Sequence, residues 1–401
     1  MANPIIATYR LSPEPKEDLK KKAESIALGQ TVGAWTPLPG TDPNHWEKHR
    51  GEVVATRSLD RASEVQVAFP TANCEPDIAS LLTMVFGKVS LDGKIKLIDL
   101  ELPAEWINQF PGPKFGVSGI RGRLNIKDRP LTMAIFKPCV GLSPEQLGEM
   151  FQGLIEGGLD LVKDDEILPD LPTAPTQDRL KTCLAAANEL KQKTGRNVLY
   201  AVNLTGPAST LLERAEELQA LGANCFLLNA LSYGWATLEA LARSPKIQTP
   251  IMAHPALSGA LCSAPEYGFG YPLILGKLMR LAGADFVLYP SHYGRFPFPK
   301  EDEFGIRDAL TQSWKESKLK PTWPVPSVGI HPGMVPRLLA DYGNDVVINA
   351  GGGIHGHPQG PQAGARAMIQ AVALTLSGQS FTESLPPKHE ELTAAIKVWG
   401  T

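Results

Sequence analysis

From about residue 130 onward the chain repeats one unit: a short apolar, β-prone run, a turn, and an amphipathic stretch of about 10 to 16 residues. The runs are 130–137 (PLTMAIFK), 159–164, 197–203 (NVLYAVN), 224–229, 250–254, 284–289, 323–328 and 345–349. The stretches between them, such as SPEQLGEMFQGLIEGG and STLLERAEELQALG, end near glycines that suit a left-handed helix cap. Doubly wound sheets also alternate strand and helix, but they commonly stop at five or six strands. Eight successive units predict an α/β fold of the (β/α)8 TIM-barrel kind.

Residues 1–125 break that rhythm. They read as strand (IIATYRL), helix (KEDLKKKAESIALG), two strands (GEVVATRSL, EVQVAFP), helix (IASLLTMVFG) and strand (KIKLIDLELP), a smaller α+β domain of ferredoxin-like type. The Pro- and Gly-rich stretch 110–122 (FPGPKFGVSGIRG) is the expected connection, with the barrel domain at 126–401. A length of 401 residues exceeds what one core usually serves, which agrees with two units.

A formal net charge of −3 and 20% charged residues give no bulk attraction for nucleic acid or an anionic membrane. Small molecules and further copies of the chain are the expected partners. Five scattered cysteines, none paired at C-x-x-C spacing, fit a reducing compartment. No run of about 18 apolar residues occurs, and the first residues lack the apolar core of a signal peptide, so a cytoplasmic location is expected.

Barrel enzymes assemble their sites where the strands end. Those ends are polar here: Lys137; Lys163, Asp165 and Glu166; Asn203 with Thr205; Asn229; His254; Ser291 with His292; Ser327; and Gly351 to Gly353 with His355. Side chains alternate along a strand, so Lys163 and Asp165 share one face, and Glu166 can turn toward them. Two carboxylates are hard oxygen ligands suited to Mg²⁺. A lysine beside them repels the metal unless carbamylation turns it into a third oxygen donor. As a bare string KDDE reads more simply as a solvated charge cluster; placement at a strand end reverses that preference.

After the seventh and eighth strands, Ser327-Val-Gly329 and the Gly351-Gly352-Gly353 run allow backbone N–H groups to meet an anion, and barrels often bind phosphate with these two loops. A lone glycine triplet is more often a tight turn. His355 and His357 form an H-x-H pair, which with a modified lysine makes a metal-dependent hydrolase the rival enzyme class. The plainer alternative is that these rings only bond within their loop. His45, His49 and His389 read as surface residues.

GGLDLVKDDE, MAIFKPCVGLS and NAGGGIHGHP together resemble the metal motif, first barrel strand and phosphate loop of the RuBisCO family. GAWT, HRGEVV, FGKVSLDGKIKLIDLELP, PGPKFGVSGIRG, LYAVNLTG and PIMAHPALSGA are more similar to its RuBisCO-like enolases of methionine salvage. The resemblance implies a Mg²⁺-dependent enolase acting on a phosphorylated diketone, with one Mg²⁺ per subunit and CO2 consumed in carbamylating Lys163. Asp165 and Glu166 are then the other metal ligands. Lys137 polarises the substrate, His254 helps hold it, Ser327, Gly329, Gly351, Gly352 and Gly353 bind its phosphate, and Lys114 is the general base. It also implies a homodimer with each active site between the N-terminal domain of one subunit and the barrel of another.

True carboxylases carry a second lysine where this chain has Cys139. They also carry Glu, Thr and Asn where it has Gly29, Ala34 and Met84, and a mobile loop lysine where it has Arg295 and no lysine before Lys300. Carboxylase activity is therefore not expected. Pro138 and Cys139 also depart from the FKG typical of the enolases. An isomerase of a related methylthio-sugar phosphate, or a silent phosphate-binding barrel, are the alternatives.

Overall fold

The computed structural model describes residues 3–12, 18–33, 46–294, 297–314, 316–379, 381 and 389–401. Ala34, His45 and Arg295, named above, lie outside them. The strands in chain order are β1 (Ile5–Leu11), β2 (Glu52–Ser58), β3 (Ser63–Phe69), β4 (Ile95–Glu101), β5 (Leu131–Ile135), β6 (Leu161–Lys163), β7 (Leu199–Asn203), β8 (Cys225–Leu228), β9 (Ile251–Ala253), β10 (Gly268–Phe269), β11 (Phe286–Pro290), β12 (Trp323–Ser327) and β13 (Val347–Ala350).

The small domain is one sheet in the order β10-β4-β1-β3-β2. Ile5, Ala7, Tyr9 and Leu11 alternate onto one buried face of β1, as a half-covered antiparallel strand requires. Helix Leu19–Gly29, capped by the Asp18 side chain on Lys20 N, buries Ala23, Ile26 and Ala27 in the same cluster. The fifth strand comes from the barrel half: Gly268 and Phe269 pair in parallel with Lys96 and Leu97.

The other eight strands form a parallel sheet ordered β12-β11-β9-β8-β7-β6-β5-β13. Every one overlaps the run expected for it. The ladder is not hydrogen-bonded between its two end strands, and β12 shows why. Its sequence is WPVPS; Trp323 N donates across to Asp285 O on the β11 side, so the N–H groups that would face β13 belong to Pro324 and Pro326, which have none. A side-chain bond, Asn349 Nδ2 to Ser327 Oγ at 2.8 Å, ties the two strands at their upper ends instead.

Around the sheet, helix Pro144–Glu156 shows the local logic. Ser143 and Gln146 close a capping box, Pro144 sits in the first turn, and Leu147, Phe151, Leu154 and Ile155 recur at helical spacing on the buried face. Inside the sheet lies a separate apolar cluster including Leu131, Leu161, Leu227, Phe286 and Trp323. Val117, Ile120 and Leu124 of helix Gly116–Leu124 belong to it, and Asp285 Oδ1 receives Phe115 N and Gly116 N, each at 2.8 Å. Packing thus groups this helix, part of the expected connector, with the barrel, whose lower mouth it plugs.

Candidate active site

The charged string after β6 splits by alternation. Lys163 and Asp165 lie on the cavity side, while Asp164 turns outward, where Arg179 Nε at 3.0 Å, the Tyr200 hydroxyl at 2.5 Å and Asn203 N at 2.8 Å all donate to it. Asn203 and Asn229, closing β7 and β8, grip the next turn: Asn203 Nδ2 donates to the carbonyls of Asp165 (3.2 Å) and Glu166 (3.1 Å), and Asn229 Nδ2 to that of Glu166 (3.0 Å). Sequence reasoning noted these asparagines only as polar strand ends. Their role is to fix the backbone that carries two carboxylates.

Those carboxylates meet three basic groups. Lys137 Nζ is 2.8 Å from Asp165 Oδ2 and 3.0 Å from Cys139 Sγ. Lys163 Nζ is 3.4 Å from Glu166 Oε2, and His254 Nε2 is 3.3 Å from the same oxygen. Burial pulls the Lys137 pKa down, but the bonds to Asp165 and Cys139 outweigh it and hold the ammonium above its ordinary value. Lys163 is the reverse: it is fully buried, and desolvation overrides the attraction of Glu166 and Asp165, lowering its pKa. Burial and the nearby Lys163 charge bring His254 down to about 4, a neutral imidazole near pH 7. Its Nδ1 accepts from Ala256 N at 3.2 Å, which leaves Nε2 to carry the proton toward Glu166.

Beside these groups opens a cavity of about 580 Å³ whose walls include Lys137, Glu166, His254, Ser327, Gly329 and Gly351 to Gly353. The structure therefore gathers every expected substrate-binding residue at one place. Close packing explains Gly353, where a Cβ would lie 2.2 Å from Ile330 O, and a left-handed backbone explains Gly329, at φ +74. Val328, at φ +76 beside the cavity, holds a conformation that a β-branched residue rarely adopts. The Ser327 hydroxyl donates to Val325 O at 3.0 Å, so it reaches an anion only by rotating. Asn349, His331 and Trp399 also line the cavity and had no role in the sequence reading. Trp399 ends the helix Glu390–Trp399, and no local pattern marks so distant a segment as a wall of the site.

Two expectations change. His355 Nε2 pairs with Ile135 O at 2.8 Å and His357 Nε2 with Glu391 O at 2.9 Å, so the H-x-H rings serve carbonyls of different elements and do not converge on one ion. Lys114 is not at this face. Its Nζ donates to Ser244 O at 2.9 Å and to Ile247 O, in the segment that leads into β9, and its neighbours Phe115 and Gly116 are held by Asp285, just before β11. It sits where strands begin, about one strand length (~15 Å) from where they end. Desolvation does lower its pKa, as a base needs, but at the wrong end of the barrel.

The residues present fit a hard divalent cation. Asp165 and Glu166 offer carboxylate oxygens side by side, and burial shifts Lys163 toward its uncharged form. Among the described residues no three His, Cys, Asp or Glu side chains converge as a metal site.

Comparison with known proteins agrees with this geometry. The profile of the ribulose bisphosphate carboxylase large chain, catalytic domain, matches residues 116–297 and 298–399, and that of its N-terminal domain residues 2–106. A 2,3-diketo-5-methylthiopentyl-1-phosphate enolase of Bacillus pumilus is 46% identical, covering 99% of this chain and 98% of its own. A rubisco-like protein (MtnW) from Alicyclobacillus acidocaldarius superposes with a TM-score of 0.93 at 45% identity, covering 99% of this chain and 100% of its own. An octameric ribulose-1,5-bisphosphate carboxylase/oxygenase from Pyrococcus horikoshii gives the same TM-score at 30% identity, covering 99% and 94%.

Proposed function

The chain belongs to the ribulose bisphosphate carboxylase large-chain family, and we propose that it is the member that enolises 2,3-diketo-5-methylthiopentyl 1-phosphate in methionine salvage, an isomerase without carboxylase activity. One observation carries this reading: Glu166 lines a single cavity with Lys137, His254 and the glycine loops of β12 and β13, and the buried Asp165 and Lys163 stand directly behind it, paired with Lys137 and Glu166. Enolisation needs an anion cradle, a cationic centre for the carbonyl oxygens and a proton acceptor. It does not need the carboxylase groups that Cys139 and Met84 replace.

Asp165, Glu166 and a carbamylated Lys163 would hold one Mg²⁺ per subunit, which when bound supplies positive charge to the oxygens of the enolate. The chain's own residues do the rest. The glycine loops fix the phosphate, and the Lys137 ammonium donates to a substrate oxygen as negative charge develops there. His254, neutral and oriented by Ala256 N, keeps Glu166 turned inward. The C1 proton leaves to a group at the strand ends, giving the 2-hydroxy-3-keto enol.

The N-terminal domain carries a separate cleft of about 870 Å³, lined by Gln30, Thr31, Trp46, His49, Thr83 and Met84, with no barrel strand end among its walls. This supports a homodimer in which one subunit's small domain completes its partner's site. No helix among the described residues is long and apolar enough to cross a membrane; a cytoplasmic location is part of the same proposal. The test is an assay of the purified protein following ultraviolet absorbance of the diketone, with and without Mg²⁺ and bicarbonate. An unchanged diketone with both present refutes the proposal.

A further inference from the structure

We infer that Cys139 is a positioning residue of this site, holding the Lys137 ammonium where it meets the substrate; the inference rests on the enolase reading above. An ammonium has three N–H groups in tetrahedral array. In Lys137 one is directed at Asp165 Oδ2, 2.8 Å away, and a second at Cys139 Sγ, 3.0 Å away. The third is left for the cavity that Lys137 lines. The lysine stem passes Gly351, where a Cβ would stand 3.5 Å from Lys137 Cε.

The residue type matters because Asp165 is also one of the two carboxylates available to a hard cation. An oxygen committed to a cation is a poorer partner for a neighbouring ammonium. A carboxylate at position 139 would be drawn to the same cation, and a lysine there would repel Lys137. A thiol does neither, since a soft sulfur is a weak ligand for Mg²⁺ while it still accepts a hydrogen bond. Cys139 is therefore the partner that Lys137 keeps throughout the cycle. It is also within reach of reagents: Cys139 and Cys74 are partly exposed, whereas Cys183, Cys225 and Cys262 are buried.

The experiment compares the full-length wild type with Cys139→Ala and Cys139→Ser on the diketone. Loss of one hydrogen bond to a charged group predicts a fall in kcat of about tenfold for the alanine variant, with KM changing less. Serine, whose hydroxyl accepts the same bond, recovers most of it. A second readout needs no turnover. In metal-free protein, iodoacetamide labelling is followed by peptide mass spectrometry, and the diketone slows labelling of Cys139 but not of Cys74, the internal reference. This measurement uses wild-type protein and stands even if the alanine variant melts early. Equal kcat in wild type and the alanine variant, serine no better than alanine, or labelling of Cys139 indifferent to the diketone overturns the inference. A wild type that leaves the diketone unchanged under full Mg²⁺ and bicarbonate overturns the functional reading, and this one with it.

Discussion

Arg179 and Asp164 form an ion pair in which neither side chain has any exposure, with Nε 3.0 Å from Oδ2. The guanidinium also donates to the carbonyls of Leu168, Pro169 and Ala174, so the pair clamps the loop after β6 to helix Thr176–Thr194. Breaking such a pair leaves a buried carboxylate without its countercharge, so Arg179→Met is expected to lower unfolding free energy by about 3–5 kcal/mol. Urea denaturation measures this. A loss under about 1 kcal/mol, within the range of an exposed pair, would show that water reaches Asp164.

Lys163→Ala is expected to be nearly inactive while folding normally, because it removes the residue that, once carbamylated, would supply a third oxygen donor beside Asp165 and Glu166. Wild-type activity is expected to vanish in a CO2-free, chelated preparation and to return only when Mg²⁺ and bicarbonate are both restored. Turnover that persists without either one contradicts the assignment.

Lys114→Ala is expected to leave exchange of the substrate C1 proton with deuterated water close to the wild-type rate, since Nζ serves Ser244 O and Ile247 O at the lower end of the barrel. Proton NMR of the diketone in deuterated buffer decides this. Lost exchange in a variant with an unchanged melting temperature would return the base to Lys114. Retained exchange leaves the proton acceptor to the groups around Lys163.

Acid stability follows from Asp165. Burial alone would raise its pKa, but hydrogen bonds from Lys137, Cys139 and Ile167 N outweigh burial and hold it below the ordinary 3.8. A depressed carboxyl stabilises the fold above its unfolded value, and that contribution is lost as pH falls through the lower folded value. In metal-free protein, Lys137→Met is therefore expected to shift the acid-unfolding midpoint upward. An unmoved midpoint by circular dichroism would mean that the exposed side of Lys137 screens the pair.

Much of this was legible because barrel strands are apolar runs between turns, and because alternation assigns faces. Lys163 and Asp165 fell on one side from spacing alone, and the same rule sends Asp164 the other way, although nothing local named Arg179 as its partner. Pro324 and Pro326 were visible in the sequence, yet their consequence, a missing ladder to β13, depends on knowing which strand lies on which side. Lys114 shows the limit most plainly. Its role came from resemblance, and a connector's sequence does not say which mouth of the barrel it meets. Trp399 and His331 reach the cavity through packing between distant segments, which leaves no periodic trace.

The two-residue strand β10 has a mechanical consequence. Lys96 Nζ reaches Cys262 O at 2.6 Å and Ala264 O at 2.7 Å, and Lys277 Nζ reaches Asp99 Oδ1 at 2.6 Å, on either side of that ladder. A Cβ on Gly270 would lie 2.8 Å from Ile98 O, so the two halves meet without slack at that point of the seam. The small domain is riveted to the barrel rather than hinged to it. Swinging one against the other would tear a sheet and strand two lysines.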